Sequence, residues 1–238
     1  MGEAERVADG EKIYAVLTGD LVKSSRLTSA DSKGAMERLK KISADIEQQH
    51  PDSVVGRLDT FRHDSWQLLL AQPALACRIA VFLRAALKME SDAYTKYDTR
   101  ISIGIGTVEL ISKRRISDSR GPAFTYSGKG LDAMDGQRLA LNAGDARPAL
   151  WNGLKQGVVP LLDCVVGDWT PTESRAVYGA LKGWTQEETA GNWLLQTKTQ
   201  KRPTRQAVGD SLVRAHWSAI ETVLTWIEAE IKQTYGLG

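Results

Sequence analysis

Two hydrophobic periods alternate along the N-terminal part of this chain, and their order constrains the fold more than any other feature. Consecutive apolar and β-branched residues from Lys12 to Asp20 end in Gly19-Asp20 and predict a short buried strand. Met36, Leu39, Ile42 and Ile46 then recur every three or four positions, which places them on one face of a helix between Ser32 and Gln49. Two strand-like runs, Ser53 to Phe61 and Ser65 to Ala71, flank a break at Arg62-His63-Asp64 and predict a hairpin. A second helical stripe of Leu75, Ile79, Phe82, Leu83, Ala86 and Leu87 precedes Arg100 to Leu110, where Ile101, Ile103 and Ile105 share one face of a strand. Strand, helix, hairpin, helix, strand is the order of a ferredoxin-like α/β sandwich, with helices covering one face of an antiparallel sheet.

Further along, the grammar changes. A glycine-punctuated loop from Ser119 leads to a helix expected around Leu131 to Leu141, and Gly144 to Gly157 carries no assignable period. After the apolar run Val158 to Val166 everything reads as helix. Thr170-Pro171-Thr172-Glu173 has capping-box spacing with proline at the first helical position, Gly183 supplies a stop, and Thr185-Gln186-Glu187-Glu188 repeats the cap. A basic, proline-marked segment then precedes a long helix with Leu212, Ala215, Trp217, Ile220, Leu224, Ile227 and Ile231, which completes a helix-turn-helix pattern. The expected fold class is therefore α+β: a ferredoxin-like sandwich over residues 1–150 and an all-α helix-turn-helix domain over 151–238.

With 238 residues, 42% hydrophobic and 25% charged, the chain has the composition of a packed globule. No run approaches the roughly 18 apolar residues of a membrane span, so a cytoplasmic protein with no membrane partner is expected. Cys77 and Cys164 lack metal-ligand spacing and are expected to be buried and reduced, and His50, His63 and His216 are too scattered for a zinc site.

Asp20 ends the first strand and Asp64 sits in the hairpin turn. If the third strand lies antiparallel beside the first, the two carboxylates meet at one edge of the sheet. Paired carboxylates without His or Cys suit Mg²⁺, which takes the rest of its shell from water and nucleotide phosphate. Lys23, Ser24, Ser25 and Arg26 offer backbone N–H groups, hydroxyls and two cations to such a polyphosphate. A strand end and a turn would place the same two acids there without any ligand. Gly104 and Gly106 lie inside a strand pattern and mark close packing or a bulge.

The near-neutral total of 31 basic and 29 acidic residues conceals a local excess. Lys198, Lys201, Arg202, Arg205 and Arg214 stand against Asp210 alone between Leu194 and Trp217. Flanking a helix start, such residues neutralise DNA phosphates, and Thr204, Arg205, Gln206 and Asp210 are placed to reach base edges, with Thr185 to Trp193 as the supporting helix. The turn from Leu194 to Arg202 is longer than usual, and a solvated loop between core helices is the alternative. A dimer seam along the last helix would match palindromic DNA sites, so a homodimer on double-stranded DNA is the expected assembly.

Gly19-Asp20-Leu21-Val22-Lys23-Ser24-Ser25 resembles the first metal motif of class III nucleotidyl cyclases. His63-Asp64 resembles their second, where Gly-Asp is usual, and Arg100 to Glu109 resembles a further cyclase strand. FRHDSWQ, GPAFTYSGKGLDAM and WTPTESRA look like motifs of the SatD family, which joins a cyclase-like domain to a C-terminal helix-turn-helix, and this likeness spans nearly the whole chain. It implies a cyclase-like sandwich and a DNA-binding regulator whose first domain binds a nucleotide with Mg²⁺. Cyclases stabilise the transition state with an asparagine and an arginine; the aligned residues are Thr125 and Lys129, the catalytic pair only if the chain is active. Lysine lacks the arginine fork, which tilts the expectation from synthesis toward sensing. The alternatives are an active nucleotidyl cyclase or transferase acting on ATP or GTP, and a scaffold in which both sites are relics.

Overall fold

The computed structural model describes residues 5–6, 12–112, 114–144, 147–193 and 202–237. Strand β1 (Glu5–Arg6) is short. In β2 (Ile13–Leu21) successive side chains enter opposite cores, Ala15 and Leu17 on one face, Tyr14 and Val16 on the other. Helix α1 (Ser29–Gln49) opens on a capping box formed by Thr28 and Asp31 and buries Met36, Leu39, Ile42 and Ile46, the stripe read from its sequence. The hairpin β3 (Val54–Phe61) and β4 (Ser65–Leu70), helix α2 (Ala76–Lys88) and strand β5 (Thr99–Thr107) follow in the expected order. A short β6 (Leu110–Ile111) pairs with β1, then come helix α3 (Pro122–Asp132) and strand β7 (Leu139–Ala143). The main sheet has five strands in the order β3-β4-β2-β5-β7, antiparallel except for the β5–β7 pair.

Two expectations for the α/β part need correction. The helix placed at Leu131 to Leu141 lies earlier, at Pro122–Asp132, while Leu139 and Leu141 are inward residues of β7. Gly121 at φ 143° and Pro122 at the first helical position set its start, and Gly128 and Gly130 within it mask the helical period. Nor do the helices cover one face only: α1 and α2 pack on the Ala15–Leu17 face, and α3 packs on the other through Ala123. Gly104 permits that contact, since a Cβ there would stand 2.2 Å from the Ala123 carbonyl oxygen and 2.4 Å from the Ser127 nitrogen. Thr18 and Ser127 share a hydroxyl hydrogen bond of 2.8 Å across the same interface.

Helix α4 (Pro148–Gly153) runs through a π-helical turn at Leu154–Val158 into α5 (Val159–Asp168). Pro160 has no N–H for the carbonyl four residues back, and its ring crowds that carbonyl, which opens the ladder here. Helices α6 (Pro171–Leu181) and α7 (Gln186–Asn192) both begin on the capping boxes expected from their sequences. The long final helix is in fact two, α8 (Arg205–Arg214) and α9 (Trp217–Tyr235), broken where His216 adopts φ 54°. None of the described helices is long and apolar enough to cross a membrane.

One hydrophobic core joins the α1–α2 face of the sheet to Trp151, Leu154, Leu162 and Val166 and to Ile220, Leu224, Ile227 and Ile231 of α9. A buried charge network crosses the same boundary. Arg84, fully buried, donates to both Asp98 oxygens at 3.0 Å and to Asp163 of α5 at 2.6 Å, and Arg138 donates to Asp98 at 3.2 Å. Cys77 is buried, and burial with a smaller push from Glu228 raises its thiol to about 12. Cys164 is exposed, contrary to expectation, because α5 turns Leu162 and Val166 inward instead.

Candidate functional site

Antiparallel pairing sets Asp20 opposite both Ser65 of β4 and Arg100 of β5. The Asp64 carbonyl accepts from the Leu21 N–H at 2.9 Å, so the two acids stand at one end of the sheet. They do not share a partner. Arg100 donates through Nε to Asp20 Oδ1 at 2.8 Å and through Nη2 to Oδ2, spanning the carboxylate with its fork. This bond to Asp20 is the main influence raising the Arg100 pKa; partial burial opposes it, and the Asp64 charge adds to it. Asp64 instead accepts from Ser24 Oγ at 2.7 Å and from Ser65 Oγ at 3.3 Å.

Two tight turns make this geometry. Lys23 at φ 53° and Arg62 at φ 58° bend the chain after β2 and within the hairpin, which brings Ser24 against Asp64. A cleft of about 620 Å³ opens between these turns and α1, lined by Ser24, Ser25, Lys33, Lys40, Arg62 and Asp64 among others. Of the residues proposed for phosphate, Ser24 and Ser25 line it, and Lys23 and Arg26 lie outside its lining. Sequence reasoning missed Lys33, Lys40 and Arg62. Lys33 and Lys40 are seven positions apart, two helical turns, beside the buried stripe residue Met36, which was the available signal. Lys40 also pairs with Glu37 at 3.1 Å.

The donor set accommodates a divalent ion only in part. Among the described residues the Asp64 carboxylate accepts hydroxyl hydrogen bonds alone, and a hydrated Mg²⁺ arriving with phosphate needs no more than one or two carboxylates. Asp20 has both oxygens under Arg100, so its availability as a ligand depends on that guanidinium moving away. Among the described residues there is no cluster of three or more His, Cys, Asp or Glu side chains able to hold a metal. Thr125 and Lys129 are not brought to this cleft. The Thr125 hydroxyl donates to the Gly121 carbonyl at 3.3 Å, and Lys129 lines a separate cleft beside β7.

The second candidate surface is the start of α8. Thr204 caps the helix, its Oγ1 accepting from the Ala207 N–H at 3.1 Å, and Arg205, Gln206 and Asp210 are exposed. Val208 and Leu212 pack against Ala176 of α6 and against Ala190 and Trp193, which seats α8 on the two preceding helices. Arg202 is exposed and donates to the Ala190 carbonyl at 3.3 Å. Arg214, at the far end, donates to Glu173 at 3.3 Å and to Ser211 at 3.0 Å. Lys198 and Lys201 lie outside the described residues.

No protein-family model and no curated protein sequence matches this chain. Solved structures similar to it include the catalytic core of a rhodopsin-guanylyl cyclase with converted specificity, in complex with ATPαS. The likeness has 15% identity and a TM-score of 0.43, over 59% of this chain and 80% of that one. The monomeric guanylyl cyclase domain of a rhodopsin fusion protein from the aquatic fungus Blastocladiella emersonii matches at 14% identity and a TM-score of 0.43, over 58% and 83% of the two chains. The guanylyl cyclase Cya2 matches at 19% identity and a TM-score of 0.42, over 59% and 77%.

Proposed function

We propose that this protein is a DNA-binding regulator whose α/β part binds a nucleotide together with a divalent cation. The observation that carries the nucleotide is the cleft in which Asp64, Ser24 and Ser25 face Lys33, Lys40 and Arg62. Hydroxyls and three cations suit a polyphosphate, and Asp64 suits the ion that travels with it, while Glu37, also in the lining, pairs with Lys40. Asp64 would hold Mg²⁺ arriving with the nucleotide, and the ion would supply charge neutralisation; Ser24 and Ser25 orient the phosphate, and Lys33 and Lys40 bind it. The ferredoxin-like reading of the six elements from β2 to β5 and the resemblance to the SatD family support the same assignment. Thr125 and Lys129 stand apart from this cleft, which favours sensing over synthesis.

The C-terminal helices supply the output in this reading. Arg205 and Gln206 on the first turn of α8 contact base edges, Arg202 and Thr204 approach the phosphates, and a homodimer in the cytoplasm presents two such helices to double-stranded DNA. Calorimetric titration with ATP or GTP and Mg²⁺ tests the nucleotide assignment. Saturable binding, weakened about tenfold or more in a Lys33→Ala, Lys40→Ala variant, is the expected result. Failure of both nucleotides to bind removes the reading, and formation of a cyclic product that Asp64→Asn abolishes replaces it with a cyclase.

A further inference from the structure

A second cleft, of about 460 Å³, lies between α3, the end of β7 and the α4–π-turn helix, away from Asp64. Tyr126 and Lys129 reach it from α3, Asn142 from β7, and Trp151, Asn152 and Lys155 from the opposite helix. Tyr126, Lys129 and Ala133 recur every three or four positions, as do Pro148, Trp151 and Lys155, so each helix presents one face to the gap. Gly130 allows α3 to lie directly over Asn142, since a Cβ there would be 2.1 Å from its side-chain nitrogen. The π-helical turn contains Lys155 and alters the spacing of that wall. No acidic residue is among the described residues of the lining, and neither lysine has an anionic partner among the described residues. Trp151 is 7% exposed, yet its indole Nε1 is buried without an acceptor among the described residues. Its ring stands 6.0 Å from that of Tyr235, which backs this wall with a second aromatic.

We infer that this cleft binds a small phosphate-bearing ligand. Lys129 and Lys155, on facing walls and without an anionic partner among the described residues, neutralise the phosphate oxygens, and the amides of Asn142 and Asn152 and the Tyr126 hydroxyl add hydrogen bonds. Trp151 lines the cleft, so its indole resonance reports on what enters it. The half of the site on α4 and the π-turn belongs to the helical part of the chain and the other half to the α/β part, so occupancy reports on both. This site is independent of the nucleotide cleft around Asp64.

The test uses the full chain labelled with ¹⁵N, following the Trp151 indole resonance, assigned by Trp151→Phe, as pyrophosphate is added at constant ionic strength. A saturable shift of that resonance is expected, its midpoint raised about tenfold or more by Lys129→Ala with Lys155→Ala. Lys33→Ala with Lys40→Ala, which alters the other cleft, is expected to leave the shift intact. No shift at millimolar pyrophosphate, or a shift lost in the Lys33, Lys40 variant and kept in the Lys129, Lys155 variant, overturns the inference. Succinate run alongside is expected to bind more weakly; equal or tighter succinate binding overturns the assignment to phosphate. Both charge variants leave the buried core untouched, and an unchanged free-state spectrum verifies their folding.

Discussion

Replacing Arg100 by alanine is expected to tighten divalent-ion binding at the sheet end, because the fork on Asp20 is what an incoming ion must displace. Hydrogen bonds to charged groups contribute about 1.5–3 kcal/mol net. The Arg100 side chain is 36% exposed, so solvent screening reduces this to about 1–2 kcal/mol. Freeing Asp20 then lowers the dissociation constant for a cation by about five- to thirtyfold. Mn²⁺ binding to the nucleotide-free protein, followed by the loss of its free paramagnetic signal, reads this directly. Arg100→Lys, which keeps a charge without the fork, is expected to fall between wild type and Arg100→Ala. The gain must vanish when Asp20→Asn is combined with Arg100→Ala. An unchanged Mn²⁺ affinity in Arg100→Ala, or a gain that survives in the double variant, refutes the view that Arg100 competes for Asp20.

Arg84→Met leaves buried Asp98 and half-buried Asp163 with one partner fewer and is expected to cost about 3–5 kcal/mol in urea unfolding. Burial pushes the Asp98 carboxyl up, but Arg84, then Lys88 and Arg138, override it and hold the carboxyl below its usual range. Since the folded value lies below the unfolded value of about 4, its stabilisation is complete above that pH and is lost as the pH falls toward the folded value. Unfolding free energies measured from about pH 6 to pH 3 are expected to decline accordingly, less steeply in Asp98→Asn. Gly104→Ala is expected to destabilise by about 1–3 kcal/mol or more, because Ala123 and Ser127 leave no room for a Cβ. Gly153→Ala, in a helix with open space around it, is expected to stabilise by up to about 1 kcal/mol, and thermal melts compare the two.

Local patterns in the sequence carried the elements whose period is clean. The α1 stripe, the alternation of Ile101, Ile103 and Ile105, and the caps at Thr170 and Thr185 are visible because each depends on neighbours within a few positions. Helix α3 was misplaced because Gly128 and Gly130 interrupt its apolar period, and those glycines answer to tertiary packing: Gly130 makes room for Asn142 and Ser102. The break between α8 and α9 was hidden because Ala215 and Ile220 remain buried on either side of it.

The placement of Asp20 and Asp64 at one end of the sheet follows from antiparallel pairing, a topological argument available before the structure. The partner of Asp20 did not, since Arg100 reaches it across a strand pair whose register is set by the whole sheet. Arg84, Asp98 and Asp163 come from three segments, each individually an ordinary charged residue, and only their burial together makes them a network. Lys33 and Lys40 look like solvated residues of an amphipathic helix until the hairpin turn closes the cleft opposite them.

The measurement that tests the account most directly is fluorescence anisotropy of double-stranded DNA from the region upstream of the protein's own gene. It is made at two salt concentrations, with and without ATP or GTP plus Mg²⁺. Binding that is selective over unrelated DNA, weakens with salt and shifts when nucleotide is added is the predicted result, because a ligand moves an equilibrium only through different affinities for its two states. Arg205→Ala is expected to cost about 1–3 kcal/mol of that binding and to relax selectivity. Equal affinity for every DNA, or selective binding indifferent to nucleotide and to Arg205, would contradict the proposed coupling between the Asp64 cleft and α8.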